Sequence, residues 1–143
     1  MPPTLFLGAI VFMAGLHLLL PGGRLCLPWR WVPGVGLVLL GIVLNVRADH
    51  LFKQHATTVK PFESSSALIV ESVFRVSRHP MYLGMVLLLA GIALIMGSPT
   101  PWVVAILFGV LMEYAFIRPE EGMLQKTFGE QYREYSKRVR RWI

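Results

Sequence analysis

From Met81 to Met112 the chain runs for 32 residues without a charged side chain or a histidine. A segment of that kind cannot cover a water-soluble domain, where polar side chains must recur on at least one face. Nor can it cross a bilayer once as a straight helix. At about 1.5 Å per residue it would reach about 48 Å, against a hydrocarbon core of roughly 30 Å. It must double back, and Gly97-Ser98-Pro99-Thr100-Pro101 holds the residues that reverse a chain. The stretch therefore predicts a tight hairpin of two apolar helices, at about 80–96 and 101–117.

The rest of the chain fits the same solvent. Only 15% of the 143 residues are charged and 55% are hydrophobic, where an average soluble domain has roughly 25% charged. Leu5 to Leu20 is apolar apart from Gly and His17, and the first basic residue is Arg24, so no charged n-region precedes it as a cleaved signal would require. This predicts a retained span at about 4–20, and a second follows at about 31–46, flanked by Trp29 and Trp31 as an interfacial belt. Residues 47–79 turn polar, with Pro61 and Ser64-Ser65-Ser66 marking irregular chain.

The expected fold is an all-α integral membrane protein, one domain over 1–143, with four transmembrane helices and a C-terminal amphipathic surface helix in the cytosol. In the tail, 118–143, Leu124, Phe128, Tyr132, Tyr135 and Val139 recur every three or four residues, one helical face along the membrane surface that Gly129 bends. Arg47, Lys53, Lys60, Arg75 and Arg78 lie in the long loop and Arg118, Lys126, Arg133, Lys137, Arg138, Arg140 and Arg141 in the tail; only Arg24 and Arg30 fall on the opposite side. The positive-inside rule then puts both termini in the cytosol, as in the inner membrane of a bacterium. The net charge of +6 is met by anionic lipid headgroups, because the basic residues flank apolar runs and form no stripe for nucleic acid.

Composition also excludes chemistry. Cys26 is the lone cysteine, and with His17, His50, His55 and His79 it makes neither CxxC nor HExxH spacing, so no disulfide or metal site is expected. No glycine-rich phosphate loop proposes a nucleotide fold. The densest polar cluster is Arg75-Val76-Ser77-Arg78-His79-Pro80-Met81-Tyr82, where the long loop enters the third span. Pro80 suits a first helical turn, which leaves His79, Tyr82 and free backbone amides at a helix start, a place suited to a carboxylate or phosphate. A second cluster, Arg118-Pro119-Glu120-Glu121, lies where the return helix leaves the membrane, with Glu113 about two turns earlier. Donors and carboxylates thus meet at the mouth of one hairpin, a gap for a zwitterionic or cationic ligand. Glu113 at membrane depth needs a partner or water; His17 and Asn45 suit packing between helices and take no role.

These residues also carry a resemblance. Arg78-His79-Pro80-Met81-Tyr82-Leu83-Gly84, then Glu120-Glu121, then Phe128-Gly129-Glu130-Gln131-Tyr132-Arg133-Glu134-Tyr135 and Arg138-Val139-Arg140-Arg141-Trp142 resemble the isoprenylcysteine carboxyl methyltransferases and their phospholipid methyltransferase relatives. The likeness runs from about Arg47 to Ile143. It implies an integral membrane enzyme that takes S-adenosylmethionine from the cytosol and methylates a membrane lipid or other lipophilic acceptor. By position it implies that Arg78, His79, Pro80, Met81, Tyr82 and Glu120 bind the cofactor, with Ser66, Ala67, Leu68 and Ile69 lining its pocket. Phe74 stands where many relatives have a tyrosine, keeping an aromatic face but no hydroxyl. Phe116 stands where the eukaryotic enzyme has an acceptor-contacting arginine, with Arg118 close by.

Methyl transfer asks mainly for alignment and exclusion of water. A carboxylate or thiolate acceptor needs no base; an ammonium acceptor must lose a proton, for which Glu113 and Glu121 are candidates. With Arg118 they form the expected catalytic set. Two other classes fit four spans: a small transporter with Glu113 as proton site, and a sterol-reductase-like enzyme using NADPH.

Overall fold

The computed structural model describes residues 1–20, 22–23, 29–55 and 68–143. Among them every regular element is helical: α1 (Pro2–Leu19), α2 (Trp31–Gln54), a 3-10 turn at Ser72–Arg75, α3 (Pro80–Met96), α4 (Thr100–Met112), a π-helical turn at Glu113–Ile117, α5 (Arg118–Phe128) and α6 (Glu130–Arg138). Proline opens α1, α3, α4 and α5, where its missing N–H is least costly. In α5 it does more. Pro119 has no N–H for the carbonyl four residues back and its ring presses on it, and the wide π turn just before it absorbs that clash without breaking the helix.

α1, α2 and the continuous helix Thr100–Phe128 are each long and apolar enough to cross a membrane; α3 is apolar throughout but has 17 residues. Leu7, Val11 and Phe12 of α1, Leu39, Leu40 and Val43 of α2, and Val103, Ile106 and Leu107 of α4 are exposed. An apolar periphery of this extent suits lipid and not water. This is an all-α membrane protein.

The bundle is assembled in two ways. α1 packs on α4 and, less extensively, on α3, around Met13, Met85, Leu89, Ala93, Phe108 and Met112, with Phe6 edge-on to Phe108 at 6.1 Å. α2 packs on α3 through glycines. A Cβ on Gly41 would come within 2.6 Å of the Gly84 carbonyl, and one on Gly91 within 2.6 Å of the Gly34 carbonyl. Backbone therefore lies on backbone along the seam, as small residues permit between membrane helices. Asn45 belongs to this packing: its amide donates to the Gly41 carbonyl at 2.9 Å and fills the space beside Gly84. At the far end Gly97 adopts a left-handed φ of 68° to end α3, and His17 bonds Ser98 across the hairpin at 2.7 Å.

Two expectations need correction. The helix that carries the second span does not stop near Val46 to give way to irregular loop: α2 runs eight residues further, to Gln54, with an Asp49–Lys53 pair at 2.5 Å on its last turns, because nothing before Gln54 breaks a helix. Nor does the tail lie on the membrane by its apolar stripe. α5 continues the return helix, and Leu124, Phe128, Tyr132, Tyr135 and Val139 pack instead on Ala48, Leu51, Ile69 and Phe74. The stripe is an internal face that caps the end of α2.

Candidate active site

At the end of the bundle that carries both termini, a cavity of about 240 Å³ opens between α1, α2 and α3. Arg78, His79, Pro80, Met81, Tyr82 and Met85 line it from the start of α3, Phe74 from the 3-10 turn, Phe52 from α2, Glu120 from α5, and Met1, Pro2 and Pro3 from the tip of α1. α1 and α2 make next to no contact with each other, so the cavity lies at the end of a cleft between them, floored by α3.

Each polar group is set by a neighbour. His79 caps α3 and is 4% exposed; its backbone amide donates to Ser77 Oγ at 3.2 Å, and its ring Nε2 meets Glu121 Oε1 at 3.4 Å. The Tyr82 hydroxyl donates to Glu120 Oε2 at 3.1 Å. Arg78 pairs through Nη1 with Glu121 at 3.2 Å and donates to the Tyr132 hydroxyl at 3.2 Å. Its Nε is buried with no hydrogen-bond partner among the described residues. A buried orphan donor is rare unless something else satisfies it.

Behind this wall lies a second tier of charge. Arg141 forks onto Glu121, with Nη2 to Oε2 at 2.6 Å, and reaches Glu113 Oε1 through Nη1 at 2.6 Å. The Trp142 indole donates to Glu113 Oε2 at 3.0 Å, and Arg118 donates to Glu113 Oε1 at 3.2 Å while stacking on Tyr114 at 4.2 Å. Hydrogen bonds from Arg141 to Glu121, with both carboxylate charges, push the guanidinium pKa up. Burial, then the Glu121 charge, pushes the Tyr132 phenol up to about 12; burial pushes Tyr135 up too. The Tyr135 hydroxyl donates to the Phe74 carbonyl at 2.6 Å, fixing the 3-10 turn against the cavity.

Of the site residues expected from sequence, Phe74, Arg78, His79, Pro80, Met81, Tyr82 and Glu120 converge on the cavity. Leu68 and Ile69 do not: Leu68 lies by an outer groove with Arg138 and Val139, and Ile69 is buried under α6. Ser66 and Ala67 lie outside the described residues. Arg141 joins Glu113 to Glu121, Arg118 pairs directly with Glu113, and none of Glu113, Glu121 and Arg118 lines the cavity.

The comparisons with known proteins bear on the same stretch. The model of the phospholipid methyltransferase family matches residues 29–131. The chain belongs to that family. Its similarity extends to an uncharacterized protein of Haemophilus influenzae, 36% identical over 63 residues, which are 44% of this chain and the whole of that protein. It is also similar to protein-S-isoprenylcysteine O-methyltransferases B and A of Arabidopsis thaliana, 31% and 30% identical over 76% of this chain. The chain spans 57% of the length of these two plant enzymes. Within the phospholipid methyltransferase match lie α2, α3, α4 and α5; α1 and the C-terminal residues that hold Glu113 and Glu121 lie outside it.

Sequence reading missed the cavity residues Met1, Pro2, Pro3, Phe52 and Met85, which are apolar and carry no signal apart from hydropathy. It also missed Arg141 as the residue joining the two clusters, although Arg140-Arg141-Trp142 stood out as a motif.

Proposed function

We propose that this chain transfers a methyl group from S-adenosylmethionine to a lipophilic acceptor resident in the membrane, at the cytosolic interface. The observation that carries the reading is the cavity itself, within a methyltransferase-family match: cationic and carboxylate walls face one another, with aromatic and apolar walls between. The donor set suits the cofactor. Arg78, with its orphan Nε, and His79 suit the carboxylate of its methionine part. Glu120 suits its ammonium or ribose hydroxyls, and Phe74 or Phe52 suits adenine. Bound there, S-adenosylmethionine supplies a methyl group already activated on a sulfonium.

The chain's own residues then align and enclose. Tyr82 holds the Glu120 carboxylate by its hydrogen bond, so one acceptor oxygen is fixed before a ligand arrives. The tip of α1 and the start of α3 supply walls of the cavity, and alignment with exclusion of water is what such a transfer requires, the alignment worth up to about 7 to 11 kcal/mol. The cleft between α1 and α2 gives a lipid tail a way in from the side. With Glu113 and Glu121 committed to Arg141, the acceptor that fits is a carboxylate or thiolate, which needs no base.

The topology that goes with this has four spans, α3 included, and both termini in the cytosol. Calorimetry of the detergent-purified protein against S-adenosylmethionine and NADPH tests the reading: binding of the first and not the second is expected, and the reverse overturns it. Labelled cofactor with a panel of hydrophobic and water-soluble acceptors tests the acceptor class. Efficient methylation of a small hydrophilic thiol or amine, with none of any lipid, overturns the membrane acceptor.

A further inference from the structure

After α6 the chain becomes extended at Val139 and runs beside the segment that enters α3. The Arg78 amide donates to the Arg140 carbonyl at 3.1 Å, and the Ser77 hydroxyl donates to the Arg141 carbonyl at 3.1 Å. Ser77 is 1% exposed and its oxygen also accepts the His79 amide. A C-terminal strap is thus stitched to the residues that present Arg78 and His79. Its side chains continue the stitching. Arg141 Nε reaches both oxygens of Glu121 at 3.1 Å, Nη2 takes Oε2 and Nη1 takes Glu113. Glu121 Oε1 is left facing Arg78 and His79.

We propose that Arg141 is a positioning residue for the cofactor cavity, which by holding Glu121 leaves Arg78 and His79 available to an anionic ligand. The inference rests on the cofactor reading of that cavity. Arg141 does not line the cavity, so it acts through Glu121. The physical argument is competition for one carboxylate. With the guanidinium in place, the Glu121 charge is compensated, and Arg78 shares only Nη1 with it while Nε stays unpartnered among the described residues. Without Arg141, Glu121 and Glu113 carry charge with fewer cations near them. An uncompensated, half-buried carboxylate recruits the nearest donors, and for Glu121 these are Arg78 and His79, the groups the ligand needs. Lysine at 141 restores the charge but not the fork, since one ammonium cannot span both oxygens of Glu121 and reach Glu113 as well.

The test uses the full chain in detergent as wild type, Arg141→Ala, Arg141→Lys, Glu121→Gln and the Arg141→Ala/Glu121→Gln double variant. Hydrogen exchange of the unliganded protein is the first readout. Arg141→Ala should speed exchange over residues 77–83 while leaving the α2–α3 seam as slow as in wild type; faster exchange throughout, or no local change, overturns the proposal. Calorimetry with S-adenosylhomocysteine is the second. Arg141→Ala should raise Kd by about tenfold to a hundredfold, the usual effect of losing one charged partner, with Arg141→Lys between it and wild type. Adding Arg141→Ala to Glu121→Gln should raise Kd no further. Wild-type affinity in Arg141→Ala, or a full additional loss in the double variant, overturns the route through Glu121. A wild-type protein that binds no S-adenosylhomocysteine overturns the cofactor reading and this inference with it, a result seen before any substitution is compared.

Discussion

Glu120 and Glu121 share a chemistry and are adjacent in the chain, yet one lines the cavity under the Tyr82 hydroxyl and the other is tied to Arg141, Arg78 and His79. Their substitutions should therefore separate. Glu120→Gln and His79→Ala are expected to weaken S-adenosylmethionine binding by about 1 to 3 kcal/mol in calorimetry, with Glu120→Gln leaving thermal unfolding close to wild type. Unchanged affinity in both, with the fold intact, would mean the cofactor lies elsewhere. Tyr135→Phe removes the one side-chain donor to the Phe74 carbonyl among the described residues. It should lower stability by about 1 to 3 kcal/mol, the cost of an unsatisfied buried acceptor, in thermal unfolding followed by circular dichroism. The sequence made the carboxylate pair conspicuous. The resemblance pointed to Glu120 for the cofactor, but the sequence held no physical reason for the two to divide, because that depends on Tyr82 and Arg141, 38 and 20 residues away.

At the scale of elements, α2 and α3 depend on surfaces with no side chains. Gly34 and Gly41 are seven residues apart, as are Gly84 and Gly91, and they meet in antiparallel order across the seam. Leucine at Gly41 or Gly84 has no room against opposing backbone. It should cost about 1 to 3 kcal/mol or more, read as a lower unfolding temperature in detergent and loss of the cavity formed by α2 and α3. Gly109→Ala is the control: its Cβ would meet Val86 at 3.7 Å, an ordinary contact, and stability should stay near wild type. A hydropathy reading counts glycine as neutral and so passes over the seam, although the seven-residue spacing was present in the letters. The tail misled for a related reason. An amphipathic stripe shows that a helix has something to cover, and only the fold shows that the cover is Ala48, Leu51 and Phe74 and not lipid.

For the whole molecule, the uncharged run and its Gly-Ser-Pro-Thr-Pro reversal made the hairpin legible, and the blocks at Arg78–Gly84 and Phe128–Tyr135 made the family legible. What could not be read was the joining of distant ends: the tip of α1 as a cavity wall and the C-terminal strap across the start of α3. Neither has a local pattern, because each is fixed by packing of helices far apart in the chain. The proposed topology predicts that a reporter fused after Ile143 is active only as a cytosolic reporter and that one inserted at Pro99 reports the opposite side. An external signal at the C-terminus would overturn it.

The π turn ahead of Pro119 sets an angular phase. On a regular helix, advancing about 100° per residue, Glu120 would fall almost in line with Glu113, seven positions on. One residue's worth of slack in the wider turn moves that alignment to Glu121, which is how a single guanidinium can bridge Glu113 and Glu121. Glu120 is rotated away by one step, toward Tyr82. Deleting Ala115 would close the turn and leave Glu121, then seven positions on, still in line with Glu113, whereas closing the turn with no residue lost would put Glu120 under Arg141 instead, so the division of labour between two identical side chains is written in a count of residues rather than in their identity.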